Sequence, residues 1–193
     1  MPEHRELPLF RFGEELRRHR QVKRRSRLRT LATAAAAVAV TAAVATLLWP
    51  PRPSLLWNAS ASSPVGLYRI APADDVRVGE MVVAWPPEGA RALAAERHYL
   101  PVNVPMVKRV AAVSGDRVCA IGEAILVNGR LETLRSRHDP AGRPLPWWTG
   151  CEDLLVGDLF LLSRDVPDAF DGRYFGVTRR SQILGRGRLL WRG

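Results

Sequence analysis

The sequence predicts a mainly β domain behind a single N-terminal transmembrane helix. Three observations carry this: an uncharged run from Leu31 to Leu48, short apolar runs after it bounded by Gly, Pro and Asp, and 15 Gly plus 15 Pro to serve many turns. The chain has 193 residues, of which 47% are hydrophobic and 25% charged, which fits a globular protein and excludes a wholly disordered one.

The net charge of +10 raises the question of a nucleic-acid surface, and its location answers it. Residues 1–30 hold ten Lys or Arg against four Asp or Glu, so most of the excess lies in an N-terminal tail. No nucleic-acid partner is expected, because the tail adjoins a membrane span; anionic lipid is its expected contact. Of the 29 basic residues only Lys23 and Lys108 are lysines, so a Lys in the folded part needs a reason.

The Leu31–Leu48 run contains nine Ala, three Val, three Leu and three Thr. At about 1.5 Å per residue it spans roughly 27 Å, close to the hydrocarbon thickness of a bilayer. Trp49 stands where an interfacial aromatic would sit, and Pro50–Pro53 would stop the helix. The expected organisation is a basic cytoplasmic tail at 1–30, an anchor at 31–49 and an exported domain at 50–193. The basic flank places the tail inside, on the positive-inside rule. Three alternatives stay open: a cleaved export signal ending near Ala43-Val44-Ala45, a twin-arginine signal around Arg24-Arg25, and a buried soluble helix.

In the exported part the apolar runs Met81–Trp85, Val107–Val113, Ala124–Val127 and Leu159–Leu162 predict strands. Asn128-Gly129 predicts a tight hairpin turn. A short pattern recurs at Gly79-Glu80, Gly115-Asp116 and Gly157-Asp158, each time reading as a turn that feeds a strand. Ala90–Tyr99 alone has a helical composition. Cys119 and Cys151 both fall in the exported part, where an even count predicts a disulfide; two separate buried thiols are the alternative. Two Cys far apart, with no His at ligand spacing, make a metal site unexpected.

Two features could carry chemistry. Lys108 lies in the apolar stretch Val104–Val113. An ammonium pressed into such surroundings loses hydration, and its pKa falls until it can act as a neutral base, which Arg cannot do. The alternative is a Lys on the exposed face of a strand beside Arg109. The second feature is Asn58–Tyr68, where small residues and hydroxyls run into Pro64, which holds Ser63 extended. Such a segment suits a nucleophile that a bulky substrate approaches closely; a Ser-rich linker is the alternative.

Taken together, Ser-Ser-Pro-Val-Gly-Leu-Tyr at 62–68, Val-Lys-Arg-Val-Ala-Ala-Val-Ser-Gly-Asp-Arg-Val at 107–118 and Phe-Asp-Gly-Arg-Tyr-Phe-Gly at 170–176 resemble three boxes of the type I signal peptidases. The wording of the first and last is most similar to the conjugative-transfer, TraF-like branch. The resemblance covers roughly Trp57 to the C-terminus. It implies a signal-peptidase-like β domain and a serine endopeptidase with a Ser–Lys dyad, needing no cofactor and no metal.

By that resemblance Ser62 would be the nucleophile and Lys108 the general base. The Ser62 N–H and the Ser60 hydroxyl would form the oxyanion hole, and Asp171 and Arg173 would hold the scaffold. Its partners would be precursors with signal peptides or pilin-like substrates, met on the outer face of the inner membrane. One departure matters: relatives often carry Ser two residues before the Asp of the last box, where it can bond the Lys, and here that position is Ala169. Either another group orients Lys108 or activity is weakened. The competing class is therefore a weak or silent relative that binds precursors or builds a secretion or conjugation apparatus. A Ser-His-Asp enzyme using His98 or His138 is disfavoured, because no Gly-x-Ser-x-Gly elbow is present.

Overall fold

The computed structural model describes residues 8–48 and 53–193, as two compact units divided near Pro51. The first is a single helix, α1, Pro8–Leu48. It is one helix long and apolar enough to cross a membrane. Helix continues through the basic segment without a break, so the tail and the anchor share one element. In the apolar stretch every Thr hydroxyl returns to a helix carbonyl: Thr33 to Thr30, Thr41 to Ala37 and Thr46 to Ala43 at 2.8–2.9 Å. That satisfies the polar atoms that lipid could not. Trp49 and Pro50–Arg52, expected to mark the interface and stop the helix, lie outside the described residues.

The second unit is built of strands: β1 Leu55–Asn58, β2 Gly66–Ala71, β3 Met81–Ala84, β4 Met106–Ala112, β5 Arg117–Ile121, β6 Ala124–Val127, β7 Arg130–Leu134, β8 Gly150–Asp153, β9 Phe160–Leu162 and β10 Ile183–Arg192. Helix α2, Glu88–Glu96, precedes β4, and the one-turn helix α3, Gly172–Phe175, follows β9. A six-stranded antiparallel sheet has the order β1-β2-β10-β3-β4-β9, and a four-stranded one the order β7-β6-β5-β8. The mainly β expectation is met.

The four expected strands are all present, and the helical stretch is α2, which stops at Glu96, two residues before His98 with its φ of +59°. Asn128 and Gly129 take φ of +51° and +78° between β6 and β7, the positive pair that a two-residue hairpin requires. Gly79, Gly115 and Gly157 have φ between +85° and +92° just ahead of β3, β5 and β9, which explains the recurring pattern.

Ala112 of β4, Val118 of β5, Ile125 of β6 and Phe160 and Leu162 of β9 are buried together where the two sheets meet. This packing matters for chemistry, because β4 carries Lys108 and β9, its partner at the edge of the large sheet, leads directly into Ser163. Cys119 and Cys151 face each other across β5 and β8 and form the expected disulfide, with an S–S distance of 2.02 Å.

Candidate active site

Lys108 sits on β4 between β3 and β9, opposite Val82. Strand β4 is buried at every position but one: Arg109 points outward and Lys108 inward, with only 3% of its surface exposed. The alternative of an exposed Lys beside Arg109 is thereby excluded. Burial pushes the Lys108 ammonium from 10.5 down to about 8; Asp171 opposes the shift and Arg173 adds to it.

The loop between β1 and β2 delivers the hydroxyls. Asn58, buried at the end of β1, donates from Nδ2 to the Ser60 carbonyl at 3.0 Å and the Pro64 carbonyl at 3.1 Å, and accepts the Ser60 N–H at 3.2 Å. Tyr68 adds a bond from its hydroxyl to the Pro64 carbonyl, 2.8 Å. The loop is therefore set by its own ends and is not a slack linker. Ser63 spends its hydroxyl on the Val107 carbonyl, 2.7 Å, one residue before Lys108. This pins the loop to β4 and leaves Ser62 as the hydroxyl that faces the amine.

Lys108 Nζ donates to Ser62 Oγ at 2.8 Å and to Ser163 Oγ at 3.0 Å. Ser60 Oγ lies 2.9 Å from Ser62 Oγ, and the Ser62 N–H is 3.4 Å from Ser60 Oγ. The two groups expected to stabilise an oxyanion are adjacent, and their mutual contact is long enough to yield to a stronger acceptor.

Asp171 and Arg173 are both fully buried and bound to each other, Nε to Oδ1 at 2.8 Å. Between them they grip Ser163: Asp171 Oδ2 accepts its N–H at 2.8 Å, and Arg173 Nη2 donates to its carbonyl at 2.9 Å. Arg173 also holds the Pro167 carbonyl at 2.6 Å. Neither reaches Ser62, so both shape the loop that positions Ser163. Ala169 is buried against the same cleft, and the group that orients Lys108 is Ser163.

Sequence reading missed Ser163, Asn58 and Arg135. Arg135 is 3% exposed and donates to the carbonyls of Gly122, Trp148 and Arg173, tying the small sheet to the box that holds Asp171. A cleft of about 260 Å³ opens over Ser60, Ser62 and Lys108, walled by Met106, Tyr99 and Phe170. His98 and His138 are not among its lining residues, so neither joins Ser62 in this cleft.

Two plasmid transfer proteins TraF of Escherichia coli are each 39% identical, over 137 and 136 residues, covering 66% and 65% of this chain and 77% and 76% of theirs. A signal peptidase I from Enterococcus faecalis is a structural neighbour at 15% identity with a TM-score of 0.35, covering 59% of this chain and 97% of its own. Residues 27–192 match the family described as signal peptidase, peptidase S26, and the chain belongs to that family.

Proposed function

We propose that the chain is a membrane-anchored serine endopeptidase that processes exported precursors in plasmid transfer, with pilin-like subunits as its substrates. The observation that carries this is the 2.8 Å contact between Ser62 Oγ and an amine that burial has made a base. Family membership and the likeness to plasmid transfer proteins support the setting. α1 anchors the chain, with its basic end in the cytoplasm and the catalytic unit at 50–193 on the outer face of the inner membrane.

In this mechanism neutral Lys108 takes the Ser62 proton as Oγ attacks the scissile carbonyl. The oxyanion receives hydrogen bonds from the Ser62 N–H and the Ser60 hydroxyl. The Lys108 ammonium then protonates the leaving amine, and the acyl-serine ester is released by a water that Lys108 deprotonates in turn. With a pKa of about 8, about one molecule in ten holds the neutral amine at pH 7. The 3.0 Å contact from Nζ to Ser163 Oγ supports the enzyme over a silent relative, because it supplies the orienting hydroxyl that Ala169 lacks.

The test is cleavage of a co-expressed pilin precursor by the full chain and by its Ser62→Ala and Lys108→Arg variants. Processing by the wild type alone is expected. Normal processing by Lys108→Arg would refute the dyad, because the guanidinium stays protonated. Protease digestion of sealed inner-membrane vesicles of known orientation reads the topology.

A further inference from the structure

We propose that the carboxylate of Asp168 makes one end of the cleft a subsite for a cationic side chain, Arg or Lys, of the bound peptide. This rests on the peptidase reading and adds a specificity to it. Two charged residues line the cleft, Lys108 and Asp168. Lys108 is buried and committed to Ser62 and Ser163, so Asp168 is the charge available to a ligand. Asp168 is exposed and has no ion-pair or side-chain hydrogen-bond partner among the described residues.

Several nearby charges are already paired. Asp139 holds Arg143 at 2.7 Å, Arg97 at 3.9 Å and the Tyr99 hydroxyl. Asp171 is spent on Arg173 and on the Ser163 N–H, and Arg164 on Glu132. Asp168 is therefore an unpaired acidic residue lining the cleft of a chain whose net charge is +10.

What stands beside Asp168 fits a cation. Phe170 lines the same cleft with its ring fixed by three neighbours: Tyr99 at 5.4 Å, Tyr174 stacked at 5.9 Å and Phe175 at 5.6 Å between centroids. A small adjoining hollow shares Tyr99, Asp168 and Phe170 with the cleft, so the acidic residue and the aromatic wall belong to the same junction. A guanidinium or ammonium laid against a ring and paired with a carboxylate gains from both. An acidic side chain there would meet the like charge of Asp168.

The experiment uses the full chain in nanodiscs and fluorescent peptides with small residues around the scissile bond, carrying Arg, Gln or Glu at each flanking position in turn. Ser62→Ala protein reports binding without turnover, and wild type reports cleavage. At one position Arg should bind roughly tenfold more tightly than Glu, attraction on one side and like-charge repulsion on the other, each of exposed-pair size. Asp168→Asn should erase that ratio and Asp168→Lys should invert it, a gain for Glu that misfolding could not produce. An Arg-to-Glu ratio that is the same in wild-type and Asp168→Asn backgrounds at every position, or no binding at all, overturns the subsite. A charge preference without cleavage would leave the subsite standing and remove the peptidase; cleavage without a charge preference would do the opposite.

Discussion

The pH dependence of peptide cleavage tests the base most directly. Lys108 is 3% exposed and its pKa falls from 10.5 to about 8. Each pKa unit is about 1.4 kcal/mol, so burial disfavours the ammonium by about 3 kcal/mol. The active form is the neutral amine, so kcat/KM must rise with pH, about tenfold per unit below 8, and flatten above it. Between pH 6 and pH 9 the neutral fraction grows about ninetyfold on this pKa. A Lys left at its ordinary value would instead climb about a thousandfold over the same range without a plateau. The assay is the initial rate of an internally quenched peptide at concentrations far below KM, in detergent micelles, from pH 6 to pH 10. A rate still climbing tenfold per unit at pH 9.5 would refute burial as the means by which Lys108 becomes a base.

Ser163→Ala removes one of the two bonds to Lys108 Nζ and should lower kcat roughly ten- to a hundredfold, the size of a hydrogen bond to a charged group, with KM little changed. Adding Ala169→Ser should restore part of it, and failure of both effects would remove Ser163 from the machinery. Lys108→Met should stabilise the fold at pH 7, measured by urea unfolding. The folded pKa of this cation is depressed, so its cost is full below pH 8 and fades as pH rises toward 10.5; the advantage of Met should shrink by about 2 kcal/mol between pH 8 and pH 10. Replacing both Cys119 and Cys151 by Ser opens a crosslink of sequence separation 32 and should cost about 3–4 kcal/mol on the chain-entropy model, while the peptidase stays insensitive to thiol alkylation. Arg135→Ala orphans the carbonyls of Gly122, Trp148 and Arg173 and should cost about 3 kcal/mol of stability by chemical unfolding.

Much of this unit was legible because its signals are local. A positive φ at Gly79, Gly115 and Gly157 leaves a trace in one residue, and so does the Asn128-Gly129 turn. The strands β3, β4 and β9 were visible as apolar runs because both of their faces lie largely in the core, and β6 because its four apolar residues are all at least half-buried. β10 was not, since Gly185 and Gly187 interrupt its pattern. A Cβ on Gly185 would lie 2.2 Å from the Ala71 carbonyl of β2, so close strand approach, rather than weak strand character, explains the glycine. The site divides the same way. Ser62 and Lys108 stood out by type and setting, but Ser163 joins Lys108 only because β9 pairs with β4, with Leu162 opposite Arg109. Its role is a fact of register, which no stretch of the chain displays on its own.

The electrostatics of the buried box explain why Asp171 and Arg173 come as a pair. A base that must be neutral cannot lie beside an uncompensated carboxylate, because Asp171 draws the Lys108 pKa upward. Arg173 opposes that pull and occupies both Asp171 oxygens, so the pair presents little net charge to the amine. A fully buried ion pair contributes little to stability once desolvation is counted, and apolar residues of the same volume would often serve the fold as well. What apolar residues could not do is take the Ser163 N–H on one side and donate to its carbonyl on the other. The pair thus sets one backbone segment from two directions, and that segment sets one hydroxyl against Lys108. The amine meets Ser163 and Ser62, both uncharged, while the charges that set Ser163 cancel behind it.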